Sequence, residues 1–324
     1  MKGLRHTGIS RRTMLVGSAG TALLASTGLG WAQEGKRIGF MIWNTSVPFY
    51  SNLIKLANET AAKNGIKLDI QSGNGDLSAQ ISIVQQFIAQ QVDMIMIAPS
   101  DPKGIVPVIR QANSANIPVM AVNTKADTST GAKVITYVGV DDYVFGQRQG
   151  DLLAKALDGK GKVAYILGKL GTSAQLDREG GLMDTLKKYP DITIVEKLAA
   201  DWDNSKALAI TQDFLSKYPK GSIDAIVDQG PEGVNGANFA AGNGRTDVKF
   251  IMGDYPKDVR DAIIKGTVYG TVDQDPAPQG QVAIEDAVLV FSGKGDQVPS
   301  PNHYLDLPVI TKENVDKYPA AWGA

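Results

Sequence analysis

From residue 36 onward the chain alternates two patterns of apolar spacing. Short runs rich in Ile, Val and Met at residues 38–42, 67–70, 94–97 and 119–122 read as strands, the most apolar of them buried on both faces. Between them apolar residues recur every three or four positions, the spacing of helices that bury one stripe. Leu53, Leu56, Ala57, Thr60 and Ala61 form one stripe, Leu77, Ile81, Val84 and Ile88 a second, and Ile105, Val108, Ile109 and Ala112 a third. The pattern restarts at Lys162, with strands expected near 163–167, 192–195, 223–227 and 248–252. Alternating strands and helices predict βαβ units. Their repetition predicts two similar lobes, each a doubly wound parallel sheet with helices on both faces.

Ligands of such sheets bind outside the carboxyl ends of the strands. The residues just past the expected ends are 44–50, 98–101, 123–125, 168–173, 201–203, 228–232 and 254–255. Most are polar or aromatic, and they would converge on a cleft between the lobes, suited to a polar uncharged ligand.

Composition narrows the chemistry. At 324 residues the chain has room for two domains; its formal net charge is -1 and no basic block follows residue 12. That removes the electrostatic footprint of a nucleic-acid partner or an anionic membrane. There is no cysteine, and the only histidines are His6 and His303. A zinc cluster or a histidine-based triad has almost nothing to be made from, and no cofactor is expected.

Residues 1–32 carry Lys2, Arg5, Arg11 and Arg12, no acid, and a mildly apolar run from Met14 to Leu29. Ser10-Arg11-Arg12-Thr13-Met14-Leu15 matches the twin-arginine export pattern, and Gly30-Trp31-Ala32 supplies the small residues of a cleavage site. Cleavage after Ala32 would leave 29 basic against 34 acidic residues. The apolar run is short and glycine-rich for a membrane anchor. The expectation is a soluble, acidic protein of the periplasm.

Several enzyme-like patterns fail on inspection. Asp201-Trp202-Asp203-Asn204-Ser205 opens like a calcium loop, but Lys206 stands at its sixth position and Gln212 at its twelfth. The stretch from Gly168 to Ser173 matches neither the phosphate loop nor the dinucleotide fingerprint, and reads as a turn capping a helix. Asp254, Asp273 and Asp275 have no spacing that singles out an acid/base pair. His303, in a proline-rich stretch, reads as a surface or hinge residue.

Taken in order, the strand-end segments resemble those of the ribose-type periplasmic sugar-binding proteins of ABC transporters, relatives of the lactose-repressor ligand domain. The resemblance spans nearly the whole chain after residue 33. Val47-Pro48-Phe49-Tyr50 is similar to the family's Asn-Pro-Phe-Phe segment, whose aromatics lie on the apolar faces of the sugar. Ala98-Pro99-Ser100-Asp101, Ala115-Asn116-Ile117-Pro118-Val119 and Val140-Asp141-Asp142 follow, the last with Gly146 and Gly150 beyond it. Gly171-Thr172-Ser173-Ala174 resembles a family segment that places Arg178 on its sugar-binding arginine. Ala200-Asp201-Trp202-Asp203 places Trp202 on the third stacking aromatic. Gly253-Asp254 and Asp273-Gln274 fall on the closing aspartate and glutamine.

Three departures bear on the ligand. Ala98 replaces an asparagine, Asn123-Thr124 replaces an Asp-Arg pair, and Gly230 replaces an asparagine, with Pro231 and Glu232 following. A sugar clamped by that arginine would lose charge-assisted hydrogen bonds here. The ligand implied is a pentose or hexose other than ribose, or an acyclic polyol, with Trp43 as an extra indole near the cleft mouth.

The resemblance thus implies a binding protein and not an enzyme. Phe49, Tyr50 and Trp202 would stack on the ligand, while Asn123, Arg178, Asp254 and Gln274 would hydrogen-bond its hydroxyls. Lobe boundaries are expected at 33–140 with 275–301 and at 141–274 with 302–324, so the chain would cross near Val140, Gln274 and Pro299 to Asn302. The implied partners are a membrane permease and, compatibly, a chemoreceptor. The rival reading is a secreted carbohydrate-active enzyme using Asp254 with Asp273. A transcription regulator would need a DNA-binding motif where residues 1–35 carry an export signal.

Overall fold

The computed structural model describes residues 35–323, so the export signal expected over 1–32 lies outside the described residues. The described residues form twelve strands: β1 Arg37–Ile42, β2 Lys67–Ser72, β3 Met94–Ile97, β4 Val119–Val122, β5 Tyr137–Gly139, β6 Lys160–Leu167, β7 Asp191–Ala199, β8 Ala225–Asp228, β9 Lys249–Gly253, β10 Gly270–Val272, β11 Asn302–Tyr304 and β12 Val309–Thr311. The helices are α1 Pro48–Lys63, α2 Leu77–Ala89, α3 Val106–Ser114, α4 Asp142–Ala156, α5 Ser173–Leu186, α6 Asn204–Lys217, α7 Val234–Gly242, α8 Lys257–Lys265 and α9 Pro276–Phe291. Among the described residues no helix is long and apolar enough to cross a membrane.

Two six-stranded sheets result, ordered β2-β1-β3-β4-β5-β11 and β7-β6-β8-β9-β10-β12. Every pairing is parallel except β10 with β12. Central strands β3, β4 and β8 are buried along their whole length, whereas the edge strands β2 and β7 are polar and half-exposed. Burial on both faces explains the unbroken apolar runs; the edges carry charge because their outer backbone faces solvent.

Helix starts follow their local chemistry. Asp76, Asp141, Thr172, Asp203 and Asp275 accept hydrogen bonds from first-turn N–H groups of α2, α4, α5, α6 and α9. Thr172 therefore makes 168–173 the helix-capping turn the sequence indicates, and Asp203 is engaged as a cap. The buried face of α2 differs from expectation. Gln80, Val84 and Phe87 point inward, with Leu77, Ile81 and Ile88 flanking them. The amide of Gln80 is satisfied inside, accepting from the Ser100 N–H at 3.0 Å and its hydroxyl at 2.9 Å, while Phe87 packs flush on Gly39.

The chain passes between lobes after β5, after β10 and again between β11 and β12. The last passage corrects the expected boundary at 301/302. Asn302–Tyr304 pairs in parallel with β5 and belongs to the first sheet, so the crossing lies between Tyr304 and Val309. A three-residue edge strand has no periodicity to read, and its neighbour is 165 positions away in sequence for Asn302 and Tyr137. The lobes also touch directly. The Lys125 N–H donates to Ser173 Oγ at 2.8 Å, and Lys125 Nζ pairs with Asp177 at 3.2 Å.

Candidate ligand-binding site

Between the lobes lies a cavity of about 640 Å³, within the range of about 300–1,000 Å³ usual for small-molecule sites. Phe49, Tyr50, Asn123, Arg178, Trp202, Asp254 and Gln274 all line it. They come from the ends of β1, β4, β7, β9 and β10 and from the second turn of α5, elements up to 225 residues apart between Phe49 and Gln274.

The backbone is specialised where these side chains enter. Asn123, Asp201, Trp202 and Asp254 have φ of 66°, 56°, 61° and 59°, in the left-handed region. A tryptophan there is uncommon, and such conformations persist only where the surroundings impose them. Here the indole of Trp202 lies against Gly168, where any Cβ would overlap the ring.

In the first lobe, β1 runs into an Asn44 turn in which Asn44 Oδ1 accepts from the Ser46 N–H at 2.9 Å. Pro48 then starts α1. This places Phe49 and Tyr50 at the cavity with ring centroids 5.6 Å apart, edge to face. Trp43 stands 6.4 Å from Tyr50, and its buried indole N–H has no hydrogen-bond partner among the described residues. A relay joins three of the expected residues. The Tyr50 hydroxyl donates to Asn123 Oδ1 at 2.8 Å, Asn123 Nδ2 donates to Gln279 Oε1 at 3.2 Å, and Gln279 Nε2 donates to Gln274 Oε1 at 3.3 Å. Gln279, on α9, is fully buried and carries no local signal of this role.

In the second lobe Arg178 is the central charge. Its Nε donates to Asp142 Oδ1 at 2.8 Å, one terminal nitrogen donates to the Gln229 carbonyl at 2.7 Å, and that nitrogen lies 3.8 Å from Asp254 Oδ1. The guanidinium sits 3.8 Å above the ring of Phe145 and 5.7 Å from that of Trp202. Burial opposes its charge, but Asp142 and Asp254 outweigh that and hold its pKa above the ordinary value. Burial pushes Asp254 up to about 7 against the pull of Arg178, and its Oδ1 has no hydrogen-bond partner among the described residues. Two of the residues that line the cavity, Trp43 and Asp254, thus each carry a buried polar atom without the partner that such atoms normally have.

The departures have structural counterparts. The carboxyl of Glu232 folds over Gly230 into space that a side chain at 230 would need. It lines the cavity, and burial followed by the charge of Asp228 raises its pKa well above the carboxylate norm. Thr124 also lines the cavity, but its hydroxyl is committed to the Pro99 carbonyl at 2.9 Å.

The remaining candidates lie off the cavity or are engaged by other partners. Asp273 is buried near Asp254 and raised by burial and by that charge, yet it is not on the cavity wall, so the structure does not assemble an Asp254/Asp273 pair facing a substrate. Asp275 caps α9. Asp201 lines the cavity beside Trp202 and is paired with Lys206 at 2.8 Å. His303, on β11, meets Asp286 at 2.8 Å away from the cavity.

Residues 38–295 match the family described as the periplasmic binding protein domain. The chain belongs to this family. Among relatives of the periplasmic binding protein family, a xylitol-binding protein of Mycolicibacterium smegmatis is 31% identical over 286 residues, covering 87% of this chain and 79% of that protein. The ribose import binding protein of Bacillus subtilis is 30% identical, covering 79% of this chain and 82% of its own. A solved periplasmic solute-binding protein of Actinobacillus succinogenes with bound D-allose superposes with a TM-score of 0.78 at 28% identity, over 87% of this chain and all of that one. The two-lobed architecture described above is that of the family.

Proposed function

We propose that this protein is the solute-binding component of an ABC importer. It captures one neutral sugar or sugar alcohol between its lobes and presents the closed form to a membrane permease. The observation that carries the reading is the convergence, around one cavity between the lobes, of the aromatic rings of Phe49, Tyr50 and Trp202 with the polar side chains of Asn123, Arg178, Asp254 and Gln274. Aromatic faces suit the C–H faces of a sugar, and buried donors and acceptors select the stereochemistry of its hydroxyls. Relatives named for xylitol and ribose, and a solved neighbour holding D-allose, support that solute class.

Ligand contacts with both lobes would favour the closed arrangement, since a ligand shifts such an equilibrium only through its differential affinity. The protein binds stoichiometrically and does not turn its solute over. It works in the periplasm after export by the twin-arginine route, and a chemoreceptor is a compatible second reader of the closed form. The acyclic polyols and the non-ribose pentoses and hexoses are favoured because Thr124 offers no guanidinium clamp.

The test is a thermal-shift panel on residues 33–324, unfolded and refolded to strip carried-over solute, against pentoses, hexoses, sugar alcohols, inositols and amino acids. A native-state ligand raises the melting temperature in proportion to the logarithm of its excess over the dissociation constant. A clear shift with one sugar or polyol is the expected result; no shift from any carbohydrate overturns the reading.

A further inference from the structure

The segment after β12 brings an indole to the cavity that nothing in the local sequence marks. Its backbone is fastened to the second lobe. The Ala321 N–H donates to the Tyr255 carbonyl at 2.9 Å, the Lys257 N–H donates to the Trp322 carbonyl at 2.9 Å, and Pro256 and Trp322 form an isolated parallel bridge. Beneath it the Tyr255 hydroxyl reaches the carbonyls of Val315 and Tyr318 at 3.4 and 3.3 Å.

The side chain of Trp322 goes the other way. It is 7% exposed and joins the apolar cluster formed by β1, α1 and α9 in the first lobe. Its ring meets Phe49 edge to face, centroids 5.5 Å apart and planes at 85°. It also lines the cavity beside Phe49, Pro256 and Lys257. One residue therefore has its backbone in one lobe and its burial in the other, with the ligand space alongside.

The physical consequence concerns closure. Parting the lobes would withdraw the indole from Phe49 and return both aromatic surfaces to water, which is unfavourable in proportion to the apolar area exposed. The Lys125 clasp is of another kind, because water can replace its hydrogen bonds. Trp322 contributes apolar contact that exists only when the lobes are together, and so it acts on the lifetime of the closed form.

We propose that Trp322 is a ligand-covering residue, carried by a strap of the second lobe and seated on Phe49 of the first, whose ring walls the cavity and governs solute release. This rests on the reading of the protein as a solute-binding protein. Its effect falls on dissociation, because solute enters before the wall is in place.

The experiment is stopped-flow fluorescence on the full exported chain with xylitol as probe, and with D-ribose or D-allose if xylitol gives no signal. Trp322→Ala is expected to speed release about tenfold or more with association within about twofold, the pattern in which interface changes act mainly on off-rates. Trp322→Phe, which keeps an aromatic ring against Phe49, is expected to stay within about threefold of the wild type, guarding against a folding defect in the alanine variant. Release from Trp322→Ala at the wild-type rate overturns this inference alone. Equal acceleration in both variants overturns it too, since the ring would then not be the active element. A wild-type protein that binds no carbohydrate overturns the functional reading and this inference with it.

Discussion

The hydroxyl of Tyr50 donates to Oδ1 of Asn123 at 2.8 Å, tying the first turn of α1 to a residue held at positive φ beyond β4. Both groups are buried, and burial drives the Tyr50 pKa upward, so the phenol remains a donor at all ordinary pH. Tyr50→Phe leaves Asn123 Oδ1 without that donor, at a cost of about 1–3 kcal/mol for a stranded buried acceptor. Urea melts are expected to register this loss, and calorimetric titration a several-fold weaker affinity as Asn123 and the Gln279 relay lose their orientation. A variant matching the wild type in both would mean the hydroxyl does not position Asn123.

Arg178 depends on Asp142. The pair is almost wholly buried, and removing one member strands the other charge. Asp142→Ala is expected to destabilise the ligand-free protein by about 3 kcal/mol or more in denaturant unfolding, and Asp142→Asn by less, because the amide can still accept from Nε. A loss below about 1 kcal/mol in the alanine variant would show that the Gln229 carbonyl and Asp254 hold the guanidinium unaided.

Asp254→Ala and Trp202→Ala are each expected to weaken solute binding at least about tenfold while leaving circular dichroism unchanged, as for residues that fill the centre of an interface. Titration calorimetry decides the matter. Unchanged affinity in both variants removes the site assignment.

Asp254 and Asp228 are both raised to about 7, chiefly by burial. A carboxyl raised on folding binds protons more readily in the native state, so its contribution to stability is present below the unfolded value near 4 and is lost as pH rises through about 7. The ligand-free protein is therefore expected to melt at lower temperature at pH 8 than at pH 6, within the window set by these groups. Solute affinity should run the opposite way. Hydroxyls donating to Asp254 favour its ionised form, so binding tightens as pH rises through about 7. Asp254→Asn should flatten that profile, and a profile unchanged by the substitution would place the titration on another group.

Arg11 and Arg12 can be tested separately from the site. Changing both to Lys is expected to retain the protein in the cytoplasm, since the twin-arginine route requires the pair. Periplasmic recovery at wild-type levels would assign export to another pathway.

The two-lobed α/β design and the position of the cavity at the strand ends are legible in the spacing of apolar residues along the chain. Runs such as Met94–Ile97 and Val119–Val122 are so uniformly apolar that only a strand covered on both faces can bury them. In a parallel sheet every such strand delivers its following residues to the same edge, which groups Phe49 with Asn123 in the first lobe and Trp202 with Asp254 in the second; the two groups share one cavity because those edges face each other. Tertiary structure decided the rest. Strands β5, β10, β11 and β12 are three residues each, too short for any period, and exist because neighbouring strands pair with them. The inward turn of Gln80 needed Ser100 to satisfy it, and the role of Gln279 needed Asn123 on one side and Gln274 on the other. Trp322 reached the cavity by a backbone fastened to one lobe and a ring buried in the other. Local pattern encodes what a residue needs from solvent; a partner brought from far along the chain is supplied only by the folded arrangement.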